Sequence, residues 1–433
     1  MNSALFQFLN ITIIAFVVWL IPLQFIPFLI WLERKGSAFI QDRVGPDRTD
    51  VLGFRLFGYI QNFADVVKLL MKEDVIPLQA NRFYFLLAPF WSMMFSLIPL
   101  MSIPLAGSIH WINTTIHFQV VNLNVGLLFF FSITSMGILG IVLAGWASNN
   151  KFSLIGGLRS SAQMISYELS MAMSLITLLV VYQHADFQTI VHEQTGLYHF
   201  FGYTMCLPNW GFFLQPIAFL IFLVASFAET NRNPFDLPEG ESELVAGYHV
   251  EYSSIKFALF FMSEYANMVV VSFLNVSLFW GGYEVPYVST AQLIQSPRIV
   301  LLVLSGIIFI MGLLVFVVLF RHGWKQRTLY NGVKKWEPFL LGTGMAFIGL
   351  IFLILIPFWL HWNFPAWFPL ALTALVQFGC LIIKVVFFCW LFVWVRWTLP
   401  RFRYDQLMNL GWKIMLPIAM LNFLVTSIFV ILK

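Results

Sequence analysis

The chain has 433 residues, 60% of them hydrophobic and only 10% charged. Ordinary soluble domains run at about 45–50% and about 25%, so no soluble surface can be built from this composition. A polytopic membrane protein follows, and disorder, a secreted disulfide scaffold and nucleic-acid binding are excluded.

No Lys or Arg precedes the first apolar run, and no small-residue cleavage site follows it. The first span is therefore expected to be retained, not cleaved as a signal. A helix needs about 20 apolar residues to cross the hydrocarbon core. Ten segments qualify, near 9–31, 83–106, 124–147, 162–182, 212–228, 257–280, 299–320, 339–360, 370–395 and 412–432. Helices are the default because every backbone amide must be satisfied within lipid. The ten-residue alternation of a membrane barrel is missing. The expected fold class is an all-α polytopic membrane protein with about ten transmembrane helices.

The cations orient these spans. Eight fall in 32–82 (Arg34, Lys35, Arg43, Arg48, Arg55, Lys68, Lys72, Arg82). Two fall in 148–161, two in 229–256, five in 321–338 and four in 396–413. The intervening loops hold only Arg298. Both termini are thus expected to face outward, with the charged loops in the cytoplasm or matrix. A missing or extra span would break this alternation.

Two inward loops are long. The first, 32–82, turns at Val44-Gly45-Pro46-Asp47, where Gly and Pro punctuate the chain. Residues 54–72 then read as an amphipathic helix. Gln61, Asp65, Lys68 and Lys72 share one face, and Phe57, Ile60, Ala64, Val67 and Met71 the other. Such a helix suits a membrane surface or a partner protein. The second, 229–256, carries Glu229, Asp236, Glu239, Glu241, Glu243 and Glu251 against Arg232 and Lys256. Carboxylates buried side by side repel and take up protons more readily. Such a cluster can store and pass protons near neutral pH, although a solvated acidic loop would show the same pattern. Pro234 and Pro238 predict a rigid turn within it.

Three charges, Glu168, Glu264 and Lys384, fall inside predicted spans. Each costs about 2.5–3.5 kcal/mol near the bilayer centre, so they are expected to face the bundle interior. Snorkelling or mutual pairing is the structural account, and proton relay the functional one. Cys206, Cys380 and Cys389 show no Cys-x-x-Cys spacing, and the histidines show no ligand spacing. A metal or iron–sulfur site made by this chain alone is not expected. No phosphate-binding glycine loop or nucleophilic triad occurs.

Several of these segments resemble one family. They are Glu33-Arg34-Lys35, Gln41-Asp42-Arg43-Val44-Gly45-Pro46, and Ala64-Asp65 with Lys68-Leu69 and Lys72-Glu73. Ala144-Gly145-Trp146-Ala147-Ser148-Asn149-Asn150 and Ser166-Tyr167-Glu168 follow. Then come Glu229-Thr230-Asn231-Arg232, Pro234-Phe235-Asp236-Leu237-Pro238-Glu239, and Glu241-Ser242-Glu243-Leu244-Val245 with Gly247-Tyr248 and Glu251-Tyr252. Leu399-Pro400-Arg401-Phe402-Arg403-Tyr404-Asp405-Gln406 closes the set. In type and order they resemble the H subunit (subunit 1 in mitochondria) of respiratory complex I, the proton-pumping NADH:quinone oxidoreductase.

The resemblance implies a membrane subunit that is not catalytic alone and binds no cofactor itself. FMN and iron–sulfur clusters would sit in partner subunits, and a quinone would be the substrate. Other implied partners are the quinone-headgroup and terminal-cluster peripheral subunits, small membrane subunits, antiporter-like subunits and membrane lipids, with no nucleic acid. Glu33, Arg34, Arg43, Asp65, Lys68, Arg232 and Phe235 would contribute to the quinone chamber. Glu168, Glu229, Asp236, Glu239, Glu241, Glu243, Glu251, Glu264 and Lys384 would couple its reduction to proton movement. The expected location is the bacterial inner membrane, with the mitochondrial inner membrane as the alternative.

One departure stands out. The family usually has eight spans, so 299–360 reads as an inserted helical pair. It would leave a family-like core at 1–298 and the last two spans at 361–433. A lipid-facing accessory hairpin and a docking site are both open for it. Two rival readings also remain: the homologous anchor of a membrane-bound hydrogenase or related redox complex, and a stand-alone ion transporter. The transporter would need internal pseudo-symmetry, and no clear repeat is present.

Overall fold

In the computed structural model the described residues are 3–111, 114–200, 203–237, 245–326, 333–362 and 364–432. Among them nine helices are long and apolar enough to cross a membrane. The tenth predicted span, 212–228, is two short helices, α7 (Gly211–Leu214) and α8 (Pro216–Glu229). The break falls at Gln215, whose position before proline disfavours helical backbone. Its side-chain amide donates to Thr426 Oγ1 and accepts from Asn422 Nδ2 (3.0 and 3.2 Å). At 1.5 Å per residue α8 is only about 21 Å long.

The chain divides into two compact units. The first comprises 1–29, 68–288 and 377–433; the second comprises 30–67 and 289–376. The first helix, α1 (Ser3–Ile40), runs on past the apolar segment. Glu33, Arg34 and Lys35, expected in a loop, are therefore helical.

In the first unit, α3 (Arg82–Leu97) packs against α4 (Gly126–Ala147), and α5 (Lys151–Tyr182) packs against α4 and α8. The long helix α9 (Ser254–Phe279) lies against α3. Small residues allow close approach, which drives helix association where lipid supplies no hydrophobic force. A Cβ on Gly140 would lie 2.9 Å from Ser92 N, and one on Gly145 2.8 Å from Ser153 O. Between the spans lie α6 (Phe187–Glu193) and two hairpins, β1–β2 (Ile109–Trp111, Thr114–Ile116) and β3–β4 (Leu197–Phe200, Tyr203–Pro208). Helix α5 begins eleven residues before the predicted span, capped by Asn150, whose side chain accepts from Phe152 N. Lys151 and Arg159 are thus helical.

The end of the 229–256 loop settles directly on α5. A Cβ on Gly156 would lie 2.7 Å from Gly247 Cα, and Ser153 Oγ donates to Tyr248 O (2.9 Å). Tyr252 then stacks on Phe85 at 4.1 Å. Lys256 pairs with Asp74 (2.9 Å), and Ser254 Oγ donates to Leu69 O and Lys72 O.

The second unit holds the extra helical pair, α11 (Pro297–Gln326) and α12 (Val333–Ile354), preceded by the short α10 (Thr290–Gln295) and followed by α13 (Ile356–His361). Gly312 and Gly349 bring the pair together, with Cβ positions 2.7 Å from Met345 O and 3.0 Å from Phe309 Cα. The unit also holds a compact loop. The amphipathic helix expected over 54–72 is confined to α2 (Ile60–Met71). Upstream, Leu56, Phe57 and Gly58 all have positive φ (46°, 57° and 85°). Phe57 is therefore not on the helix's apolar face. A Cβ on Gly58 would lie 1.9 Å from Pro46 O, so only glycine fits that approach. Such a run of left-handed residues costs about 1–3 kcal/mol per non-glycine position and persists only where neighbours over-determine it.

The last spans are α14 (Trp367–Thr398) and α16 (Leu416–Leu432). Before α16, α15 (Tyr404–Asn409) passes into a π-helical turn, Leu410–Met415. That turn meets Tyr167: Gly411's Cβ position is 3.4 Å from its ring, and Trp412 Nε1 donates to Ser166 Oγ (3.1 Å).

Gly156→Val forces α5 and the 247–248 backbone apart. It is expected to destabilise the protein by about 1–3 kcal/mol, read as a lower thermal midpoint of the purified assembly.

Candidate functional site

The site grows from the polar end of α8. Thr230 Oγ1 donates back to Ser226 O (2.9 Å), ending the helix. Asn231 takes a left-handed backbone (φ 50°) and turns the chain under α5. There Gln163 acts as a hub. Its Nε2 donates to Ala228 O and Phe235 O at 2.8 Å each, with Asn231 Oδ1 at 3.2 Å. Asn233 Nδ2 donates to Arg396 O and Leu399 O (3.1 Å each), and Phe402 N donates to Pro234 O (3.0 Å). Residues 228–237 are thereby tied to both α5 and the segment after α14.

This frame fixes three predicted side chains. Arg232 is buried with its guanidinium over the Tyr265 ring, 3.9 Å from the centroid. Phe235 is buried between Tyr167 and Phe402 (5.5 and 5.4 Å). Asp236 is buried and pairs with Arg401 at 2.8 Å.

Above the turn, α3, α4, α5, α8 and α9 enclose a cavity of about 20 Å³. That is room for one water, which needs about 10–15 Å³. Glu229 and Glu264 both line it, with Asn231, Tyr248, Ser263 and Thr134 among its polar walls. Tyr248 Oη donates to Glu264 Oε1 (3.1 Å). Glu229 Oε2 is buried without a hydrogen-bond partner among the described residues. Glu168, half-buried on α5, accepts from Ser135 Oγ and lies close enough for its charge to act on Glu229. Three carboxylates, hydroxyls and space for a water are the components of a proton-holding site. An unpaired buried carboxyl oxygen is an acceptor a water can serve.

The remaining expected residues lie elsewhere. Glu251 accepts from Asn150 Nδ2 (2.6 Å) beside an open groove that includes Lys151. Glu239, Glu241 and Glu243 lie outside the described residues. Lys384 turns to backbone carbonyls, with Glu284 near enough for its charge to act on the ammonium. Its Nζ donates to the carbonyls of Trp280, Gly282 and Glu284 (2.8, 2.9 and 2.9 Å) and sits 5.0 Å over the Trp210 ring. Trp280 is sixteen residues beyond Glu264, about 24 Å along the chain at helical rise. Loop carbonyls thus hold the ammonium.

In the second unit Arg34 pairs with Asp65, which also accepts from Gln61 Nε2 (3.1 Å). Arg43 is exposed and donates to Gln41 Oε1 (2.6 Å). Glu33 is half-buried on α1. In the first unit, Lys68 is exposed on α2. The polar face of α2 thus turns towards Arg34, while Phe63, Val66, Val67, Leu70 and Met71 are exposed. Among the described residues no three His, Cys, Asp or Glu side chains converge as metal ligands.

Sequence reasoning missed Gln163, Tyr248 and Ser135. The signal for Gln163 was a lone amide at the start of an apolar run, which costs free energy unless partnered. Gln163→Leu keeps the volume and strands two buried carbonyls. It is expected to lower stability by about 2–4 kcal/mol, and protease cleavage within 228–237 of the assembled protein would report the loosened turn.

Comparison with known proteins supplies the context. A family model for NADH dehydrogenase matches residues 11–330 and 314–427. The chain is 42% identical to the first H subunit of NADH-quinone oxidoreductase in Solibacter usitatus, covering 96% of this chain and 95% of that one. It is 38% identical to the H subunit of the Bdellovibrio bacteriovorus enzyme (95% and 93% covered). It is 39% identical to NADH-quinone oxidoreductase subunit 8 of Rhodothermus marinus (96% of both chains). These relatives are of nearly the same length, and the two family-model matches overlap within the extra helical pair. With these matches running almost end to end over a polytopic helical chain, the protein belongs to the family of NADH-quinone oxidoreductase H subunits.

Proposed function

We propose that this chain is the membrane subunit of a proton-pumping NADH:quinone oxidoreductase that joins quinone reduction to proton movement. The observation that carries the coupling role is one small polar cavity lined by two buried carboxylates, Glu229 and Glu264, with Glu168 within electrostatic reach. Catalysis requires the partner subunits, which hold FMN and the iron–sulfur clusters, and the small and antiporter-like membrane subunits complete the pump. The bacterial inner membrane is the proposed location, in keeping with the bacterial origin of the relatives.

Reducing a quinone to a quinol takes two electrons and two protons. The isoprenoid tail is apolar, so the substrate enters from lipid, and the exposed apolar face of α2 suits that boundary. In this proposal Glu33 and Arg34 at the end of α1, Arg43, Asp65 and Lys68 beyond it, and Arg232 and Phe235 of the 229–256 loop contribute to the chamber together with partner subunits. Asp236, Glu239, Glu241, Glu243 and Glu251 respond to the charge change on reduction. Glu229, Glu168 and Glu264 pass the proton or its electrostatic signal inward, a reading supported by the Ser135 hydroxyl at Glu168 and by the shared cavity of Glu229 and Glu264. Lys384 serves this coupling indirectly, by holding the 280–284 backbone against α14. Coupling is reciprocal in free energy, so an opposing proton gradient resists quinone reduction. The relatives' names favour this reading over a hydrogenase-type anchor or a stand-alone transporter.

Two experiments test it. Membranes lacking this gene should lose NADH:quinone electron transfer while retaining NADH oxidation by an artificial acceptor, and restoring the gene should recover it. Unchanged quinone reduction, with no other NADH pump induced, would overturn the assignment. Glu229→Gln and Glu264→Gln, each in an assembled complex, are expected to lower quinone reduction and pumping together, on the order of tenfold. Wild-type rates of both would remove these residues from the coupling path.

A further inference from the structure

We propose that the extra helical pair is a clamp on the first inward loop, and that Glu337 of α12 is its positioning residue. Glu337 is the sole acid in the whole segment 299–360. An unpartnered carboxylate in so apolar a hairpin would be costly. Its side chain is 2% exposed, and its oxygens are directed at the loop. Oε1 accepts from two consecutive backbone amides, Arg55 N at 3.0 Å and Leu56 N at 2.5 Å. Oε2 accepts from Arg55 Nε at 3.0 Å, while Arg55 Nη1 pairs with Asp47 Oδ2 at 2.8 Å. The Arg55 side chain is 3% exposed and that of Asp47 10%. One carboxylate thus holds both the backbone and the side chain of the residue that opens the left-handed run Leu56, Phe57 and Gly58. A second contact secures the same run: Trp31 Nε1 of α1 donates to Phe57 O at 2.9 Å.

That run sets the direction in which α2 leaves the loop. Without a clamp, a backbone with two consecutive non-glycine residues at positive φ would relax. Gln61 and Asp65 would then lose their alignment with Thr49 and Arg34. The pair therefore acts on the quinone side of the protein without touching substrate. This last step rests on the reading of α2 as part of the quinone boundary.

Hydrogen exchange and kinetics on the assembled complex test both steps. In Glu337→Ala the Arg55 and Leu56 amides lose a charged acceptor, and their exchange should quicken by about tenfold or more. KM for a long-tailed quinone should rise by about three- to tenfold with kcat within about twofold, as expected when substrate binding alone is impaired. Glu337→Gln keeps an acceptor oxygen but loses the charge, which roughly halves the strength of such bonds. Its exchange should quicken by about threefold, and Arg55→Lys, which loses the Nε contact, should behave likewise. These two milder variants test the clamp in the same way if the alanine variant does not assemble. Unchanged exchange in the variants would overturn the clamp. Faster exchange with an unchanged KM would overturn its positioning role. Loss of the gene without loss of quinone reduction would instead sink the functional reading, while the exchange result still judges the clamp.

Discussion

Backbone buried among apolar helices must find every hydrogen bond within the protein, and the polar turn that ends α8 meets that demand with side-chain partners. Residues 228–237 leave the helix without forming another, so their carbonyls need side-chain partners. Gln163 supplies two of those bonds, and Asn233 ties the same turn to carbonyls at the end of α14, Arg396 within its last turn and Leu399 just beyond. Each neutral bond contributes only about 1 kcal/mol net, but each left unmade would cost about 1–3 kcal/mol. The penalty for breaking the turn therefore exceeds the gain from any single contact. The placement of Glu229, Arg232, Phe235 and Asp236 all depends on it.

The charges inside the spans follow the same rule. Lys384 costs about 2.5–3.5 kcal/mol to insert. Three carbonyl acceptors and an aromatic face offset that, since charge-assisted bonds contribute about 1.5–3 kcal/mol each. These contacts anchor the ammonium to the backbone that follows α9. Glu229 shows the opposite pattern: a buried carboxyl oxygen without a hydrogen-bond partner among the described residues, facing a cavity that a water fits. Backbone acceptors hold Lys384 in place, whereas Glu229 keeps an acceptor oxygen open to a water.

Legibility in the sequence varied with the range of the interaction. Long apolar runs and the cation pattern gave nine of the spans directly, because burial in lipid depends on composition over a helix's length. The tenth gave way to Pro216 and to Gln215's partners on a distant helix. The amphipathic pattern of 54–72 was correct in its faces from Ile60 onward, but it overran its start. Local periodicity does not register a left-handed run whose first residue, Leu56, is held by Glu337, 281 positions away. Glu229 read as one of the acids of the 229–256 loop, while Glu168 and Glu264 were identifiable as anomalies in apolar runs. That Glu229 and Glu264 line one cavity while Lys384 binds loop carbonyls was not, because residue type carries no information about the neighbour across a helix interface.

By itself the sequence determined the membrane class, nine of its long apolar helices, and the two long charged segments between them as the places where polar chemistry gathers. These follow from hydrophobicity and charge, which act residue by residue. Only the tertiary structure decided which acids share a cavity, that Gln163 braces the acidic turn, and that the extra helices close on the first inward loop. Those outcomes depend on hydrogen-bond geometry and close packing between segments far apart in the chain, where an ångström decides whether a donor meets its acceptor.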